Sequence, residues 1–138
     1  MKPDNIALKS VDTVFVDCFN TVLIKKFSDK EIFVKWAEDL EKQFNISSDL
    51  IYRQYKKKNF KLCLNAFLKK GIFIENFELV LQELYKWLLN KNSSIEKEAF
   101  INSAKELFIQ QEKNSLFLNE ALIENLKRIK SEGIKLYL

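Results

Sequence analysis

The chain has 138 residues and a mass of 16.4 kDa, and 47% of its residues are hydrophobic, so it can form a sizeable core. Its 23 basic residues outnumber 19 acidic ones and give a net charge of +4, but the two signs are interspersed, which argues against bulk nucleic-acid binding. The sequence contains no histidine, which excludes a Ser-His-Asp triad, a Cys-His pair and a His-ligated metal site within these residues.

The two cysteines, Cys18 and Cys63, lack Cys-x-x-Cys spacing, so they argue against a zinc site and a secreted disulfide framework and favour a cytoplasmic location. No stretch approaches the roughly 18 apolar residues that a membrane-spanning helix requires. Residues 1–10 also lack the apolar segment of a signal peptide, so no membrane partner is expected.

The first predicted element is a buried parallel strand over residues 13–16, a run of β-branched and aromatic residues followed directly by Asp17. An acidic residue at the carboxyl end of such a strand lies at the sheet edge where α/β folds bind ligands. Asp17 is therefore a candidate nucleophile or metal ligand. Alternatively, its side chain only caps the turn after the strand.

A long helical region follows, and capping residues mark its first two helices. The sequence Ser-Asp-Lys-Glu at 28–31 matches a capping box and predicts a helix that ends near Asn45. The polar residues 47–49 predict the start of a second helix, which stops before Gly71. For the lysine run 56–58 on this helix, a solvated helix face is the favoured interpretation and an anion-attracting patch the alternative.

Two further amphipathic helices are predicted, one with apolar positions from Phe77 to Leu88 and the other beginning at a capping box over 93–96. With the first two helices they predict a small bundle. Trp36 and Trp87 lie at helical spacing and are predicted to pack in its core rather than to line a substrate pocket.

The carboxyl-terminal segment returns the chain to a sheet. Asn119 is predicted to cap a fifth helix that extends to residue 132, and Gly133 allows the turn into a second strand over 134–138. These are the only two strands predicted, and the fifth helix supplies the crossover that parallel strands need. Because a two-stranded parallel sheet leaves edges and apolar faces exposed, the sequence is predicted to be a fragment of a longer α/β domain.

Residues 16–23, Val-Asp-Cys-Phe-Asn-Thr-Val-Leu, resemble the first motif of the haloacid dehalogenase superfamily, in the subgroup pattern Phe-Asp-x-Phe-Asp-Thr-Leu-Leu. Residues 118–138 look like the helix and strand that lead to the family's second motif. The resemblance implies a mostly helical α/β fold, with a partial Rossmann-like parallel sheet core and an inserted helical-bundle cap. Residues 1–27 would begin the core, residues 28–115 would form the cap and residues 116–138 would return to the core.

The resemblance also implies an activity, the hydrolysis of a phosphorylated small molecule. Asp17 would be the catalytic nucleophile and would carry the phosphoryl group as an aspartyl-phosphate. Mg²⁺ would bind the Asp17 carboxylate and the backbone carbonyl of Phe19. Thr21 would be a second catalytic residue that holds the loop geometry, and Asn20 is a candidate substrate-binding residue.

The sequence departs from the family pattern in three places. Phe19 stands where family phosphatases have a second Asp that acts as general acid and base. Asn20 replaces the subgroup's Asp. The second, third and fourth motifs would follow residue 138, so the 138 residues alone are expected to be nearly inactive. The alternatives are a metal-independent dehalogenase-like hydrolase, an inactive truncated pseudo-enzyme, or a non-catalytic module that binds a partner through its basic residues 56–70.

Overall fold

The computed structural model describes residues 11–73, 75–91 and 94–137. These residues form five helices and four strands, so the chain is mostly helical with a small amount of sheet. In chain order the elements are β1 (Thr13–Phe15), β2 (Leu23–Lys25), α1 (Asp29–Phe44), α2 (Ser48–Lys70), α3 (Phe77–Leu89), α4 (Lys97–Ser115), β3 (Leu116–Leu118), α5 (Glu120–Ser131) and β4 (Lys135–Tyr137). Among the described residues, no helix combines the length and the apolar character that crossing a bilayer would require.

The chain divides into two compact units. The strand unit combines the segment up to Lys26 with the segment from Leu116 onward, and the helical unit is the stretch Phe27–Ser115 between them. The described fold is thus a mixed α/β chain in which all of the first four helices belong to one continuous insertion.

In the strand unit, β1 and β4 form the predicted parallel pair, with Val14 opposite Leu136. The prediction that this first strand is buried is wrong, because none of its three residues is buried and Phe15 is 80% exposed. The ladder extends beyond both ends of β1, because Lys135 N donates to Asp12 O at 2.9 Å and Val16 N donates to Tyr137 O at 2.8 Å. α5 precedes β4 along the chain, and Gly133 in the connecting turn has the positive φ, 86°, that its position in the sequence predicts. Leu138, the last residue of the predicted strand, lies outside the described residues.

The prediction of only two strands is wrong, because β2 and β3 form a second, antiparallel pair in the same unit. Leu23 lies opposite Leu118, and Lys25 lies opposite Leu116. A three-residue strand is too short for period-two alternation to identify it, and these two strands are defined only by pairing with each other across a long stretch of sequence. The chain therefore leaves the strand unit and returns to it through neighbouring strands.

The capping box at the start of α1 forms as predicted. Glu31 N donates to Ser28 Oγ at 3.3 Å, and Ser28 N donates to Glu31 Oε2 at 2.8 Å, so both backbone donors are satisfied. The hydrogen bond from the Ser28 backbone lowers the pKa of Glu31 from its ordinary value. The helix ends where predicted, at Asn45, which has a φ of 55° and donates its N–H to Glu41 O.

Of the other two predicted helix starts in this unit, the one at Ser47 is correct and the one at 93–96 is wrong. α2 begins at Ser48, although Ser47 makes no side-chain capping bond, and it ends at Gly71 with a φ of 70°. Ser93 lies outside the described residues, but residues 94–96 are not helical and α4 begins only at Lys97. The reason is tertiary, since Ile95 O accepts a hydrogen bond from Tyr85 Oη at 2.9 Å instead of joining the helix.

The helical unit has a single hydrophobic core to which α1, α2, α3 and α4 all contribute. Trp36 lies at its centre with no exposed surface, and its Nε1 donates to Ala104 O at 2.8 Å, which ties α1 to α4. Trp87 is half-buried and packs against the same core, so both tryptophans take the structural position predicted for them. The remaining fully or nearly fully buried members are Ala37, Leu40, Ile51, Tyr55, Val80, Leu81, Leu84, Tyr85, Leu88, Phe100, Ile101 and Ala104.

The two serine caps offer a matched test of the capping box. Ser28→Ala removes the acceptor for Glu31 N and is expected to lower the free energy of unfolding by about 1 kcal/mol. Ser47→Ala removes no side-chain hydrogen bond and is expected to cost a smaller amount. Urea titrations followed by circular dichroism at 222 nm compare the two variants. Equal losses would contradict the assignment of the stabilisation to the Ser28 side chain.

Candidate active-site loop

The candidate site is the loop over residues 16–22, which connects β1 to β2. Its backbone closes on itself, because Val22 N and Leu23 N both donate to Cys18 O, at 3.0 and 2.8 Å, and Asn20 N donates to Leu23 O at 2.7 Å. Asn20 has a φ of 60°, in the left-handed region that Asn tolerates better than most residues. The local sequence thus explains why the chain can turn so tightly directly after a strand.

Asn119, the residue that caps α5, also holds this loop. Its Oδ1 accepts from Leu122 N at 3.2 Å, which is the predicted cap, while its Nδ2 donates to Thr21 O at 3.2 Å. Its backbone N–H donates to Val22 O at 2.8 Å. The helix cap and the contact with Thr21 use different atoms of the Asn119 side chain, so Asn119 fixes the loop to the start of α5. The capping role is visible in the sequence, but the contact with Thr21 spans 98 positions and has no local sequence signal.

The four predicted site residues lie together in this turn. Asp17 is exposed and follows directly after Val16, whose N–H makes a ladder bond to Tyr137 of β4. Phe19 is 65% exposed, Asn20 is exposed, and Thr21 is half-buried with its carbonyl held by Asn119. Cys18, between Asp17 and Phe19, is a half-buried free thiol.

A cavity of about 400 Å³ lies beside the loop in the strand unit, but Asp17 is not among its lining residues. Its walls are aliphatic, with Lys127 and Lys130 as the charged members; the other lining residues are Val16, Val22, Ile123, Leu126 and Leu136. The two valines that bracket the loop therefore face an apolar space, whereas the Asp17 carboxylate lies outside it. In the strand unit as described, the apolar cavity and the reactive group are separate features.

The loop can supply two hard oxygen ligands to a metal ion, the Asp17 carboxylate and the Phe19 carbonyl. The hydrogen bonds of the described residues use neither group. Mg²⁺ retains several water molecules and is commonly bound by one or two carboxylates together with substrate phosphate oxygens, so this donor set fits a hydrated Mg²⁺ site. Among the described residues, no three Cys, Asp or Glu side chains group in a way that could hold a metal ion. The fit to Mg²⁺ therefore depends on the Asp17 carboxylate and the Phe19 carbonyl.

The loop contains one candidate nucleophile and lacks an evident general acid. Phe19 cannot transfer a proton, and Asp17 is the loop's only carboxylate. Asp12, the nearest other carboxylate along the chain, precedes β1 and is therefore at the opposite end of that strand. The geometry is compatible with attack by Asp17 on an electrophile but assigns no residue to protonate a leaving group.

Comparison with known proteins adds no relative: the chain matches no protein-family model, and no curated protein matches it. The loop geometry and the motif over residues 16–23 are therefore the features of the chain that point to a function.

Proposed function

We propose that this chain is the nucleophile-bearing part of a haloacid dehalogenase-like hydrolase whose intact form hydrolyses a phosphorylated small molecule through Asp17. The observation that carries the proposal is the position of Asp17, directly after a residue that pairs with a parallel strand and at the start of a closed turn. In α/β folds this edge of the sheet is where ligands bind. The motif over residues 16–23 supplies the residue type that phosphoryl transfer to a carboxylate requires.

The proposal extends to the architecture. The strand unit would be the beginning of a Rossmann-like core, and Phe27–Ser115 would be a helical cap inserted into it. Two features support this reading: the parallel pair of β1 and β4, and the antiparallel pair of β2 and β3, through which the chain leaves and re-enters the strand unit. A cytoplasmic location and a small-molecule substrate remain part of the same proposal.

The proposed reaction uses the residues of the turn. An Asp17 carboxylate oxygen attacks phosphorus, a new O–P bond forms, and the bond from phosphorus to the ester oxygen breaks with its electron pair leaving on that oxygen. Water then hydrolyses the aspartyl-phosphate and restores the carboxylate. Asn20 would donate a hydrogen bond to a phosphoryl oxygen, and Thr21 would hold the turn in place. When bound by Asp17 and the Phe19 carbonyl, Mg²⁺ would offset the negative charge of the phosphate.

The side chain at Phe19 affects which esters can react. Because Phe19 cannot protonate the departing oxygen, that oxygen must leave as an anion or take its proton from water. Acyl phosphates and aryl phosphates, whose leaving groups are weak bases, are therefore better substrates than alkyl phosphates. An aromatic residue at this place also favours a second candidate, a dehalogenase-like hydrolase in which Asp17 displaces halide without a metal.

Metal dependence separates the two reactions. For the phosphatase, we expect a beryllofluoride adduct that is detected by ¹⁹F NMR with Mg²⁺ and is lost when a chelator is added. For the dehalogenase, we expect halide release from a 2-haloacid at the same rate with and without the chelator. A halide signal with no adduct would replace the phosphatase proposal, and the absence of both signals would favour the non-catalytic alternatives.

A further inference from the structure

A second apolar surface lies on α2, away from the core of the helical unit. Phe60, Leu64, Phe67 and Leu68 are spaced at i, i+4, i+7 and i+8, so they share one side of the helix. They are 68%, 38%, 42% and 73% exposed, respectively. The core-facing residues of α2, Ile51 and Tyr55 among them, occupy a different side. α2 therefore presents apolar residues both to the core and to solvent.

The surface continues past the end of the helix. Phe73, in the turn after Gly71, stacks on Phe67 with ring centroids 4.7 Å apart and an interplanar angle of 14°. Phe73 is 69% exposed and its neighbour Ile72 is 54% exposed. We call the six residues Phe60, Leu64, Phe67, Leu68, Ile72 and Phe73 the outer α2 face. A contiguous exposed patch of this kind marks an interaction site in soluble proteins.

The outer α2 face lies on a strongly basic helix. α2 carries six lysines and Arg53 against one carboxylate, Asp49, so this helix alone has a larger positive charge than the whole chain, whose net charge is +4. Lys57 and Lys61 are exposed, and each lies seven residues before a leucine of this face, Leu64 and Leu68 respectively, so both are among the apolar positions of the same side. A partner of this face must therefore combine apolar and anionic groups.

We propose that the outer α2 face docks on an anionic lipid bilayer, as a peripheral contact with no helix crossing the membrane. A bilayer offers hydrocarbon beneath a layer of anionic headgroups, which matches exposed Phe, Leu and Ile side chains among lysines. This reading gives the basic residues of α2 a partner, and it departs from the expectation that the chain has no membrane partner.

Two other occupants fit the same surface less well. A second copy of the chain would bring two strongly basic helices together, and like charges that face each other oppose association. Single-stranded nucleic acid would use stacking, but Phe67 and Phe73 already stack on each other, which leaves Phe60 as the one unstacked ring of the face. The experiment distinguishes the bilayer from both of these occupants.

Vesicle co-sedimentation of the full chain tests the proposal. We expect binding to phosphatidylcholine vesicles that contain about 30% phosphatidylserine and much weaker binding to phosphatidylcholine alone. The triple variant Phe60→Ser, Leu68→Ser, Phe73→Ser keeps every charge and is expected to lower the partition coefficient about tenfold or more. Its control is Leu79→Ser with Ile109→Ser, which removes exposed apolar side chains from α3 and α4 and should leave binding unchanged.

A charge series completes the test. Lys57→Gln with Lys61→Gln is expected to weaken binding by about fivefold for each lysine removed. Lys91→Gln with Lys113→Gln changes the net charge equally at exposed positions outside α2 and should have little effect. Circular dichroism verifies that each variant is folded.

Four results would overturn the proposal: no binding to anionic vesicles, full binding by the folded triple variant, a stable dimer that the triple variant abolishes, or preference for single-stranded RNA over vesicles.

Discussion

Asp17→Asn is expected to abolish the Mg²⁺-dependent beryllofluoride adduct and any phosphate-ester turnover of the protein that carries this chain. The substitution preserves the size of the side chain but replaces the carboxylate, which is both the proposed nucleophile and one of two proposed metal ligands. Because Asp17 is exposed and its side chain makes no hydrogen bond among the described residues, the change should leave the fold intact. The expected effect is therefore a complete loss of function without a loss of stability.

Asp12→Asn is the matched control. Asp12 is also exposed and flanks the same strand, β1, but at its other end, where its backbone carbonyl accepts a hydrogen bond from Lys135 N that the substitution keeps. This variant removes the same charge and is expected to keep the adduct. The ¹⁹F NMR signal of both variants, recorded with and without chelator, shows whether the adduct requires the Asp17 carboxylate. An adduct that survives in Asp17→Asn would remove the nucleophile assignment.

Trp36→Ala is expected to lower the free energy of unfolding by about 3–5 kcal/mol. Trp36 has no exposed surface, and its ring makes T-shaped contacts with Phe33, Tyr55 and Phe108. The substitution would leave a cavity between α1, α2 and α4 and would also remove the hydrogen bond to Ala104 O. Urea unfolding followed by circular dichroism at 222 nm measures the loss.

Two further variants separate packing from hydrogen bonding. Trp36→Phe keeps most of the aromatic volume but loses the Nε1 donor, so it is expected to cost less than Trp36→Ala. Trp87→Ala removes the same side chain from a half-buried position and is also expected to cost less. If Trp87→Ala were as damaging as Trp36→Ala, burial at the centre of the core would not explain the effect.

The sequence predicts the elements that local chemistry determines. The capping box at Ser28, the helix ends at Asn45 and before Gly71, and the cap at Asn119 all depend on residues within one helical turn, and all are confirmed. The parallel pairing of β1 with β4 was predictable from an apolar run at each end of the chain. Each of these features depends either on residues that are close in sequence or on a strongly apolar run of residues.

The features that were missed depend on contacts distant in sequence. β2 and β3 are each three residues long and acquire their conformation by pairing with each other. The late start of α4 follows from the hydrogen bond between Tyr85 Oη and Ile95 O. The sequence also identified Asp17 as following a strand, but it gave no indication that the cavity beside the loop would be lined by Val16 and Val22 and not by Asp17.

The pairing of β2 with β3 has an implication for how this protein can vary. Lys25 and Leu116 lie directly opposite each other, so the chain leaves and rejoins the strand unit at points about 5 Å apart. A gap of that size can be bridged by a two-residue hairpin turn. The helical segment between these positions can thus be lengthened, shortened or exchanged for another domain while the register of the flanking strands is preserved. The turn that presents Asp17 is preserved together with that register.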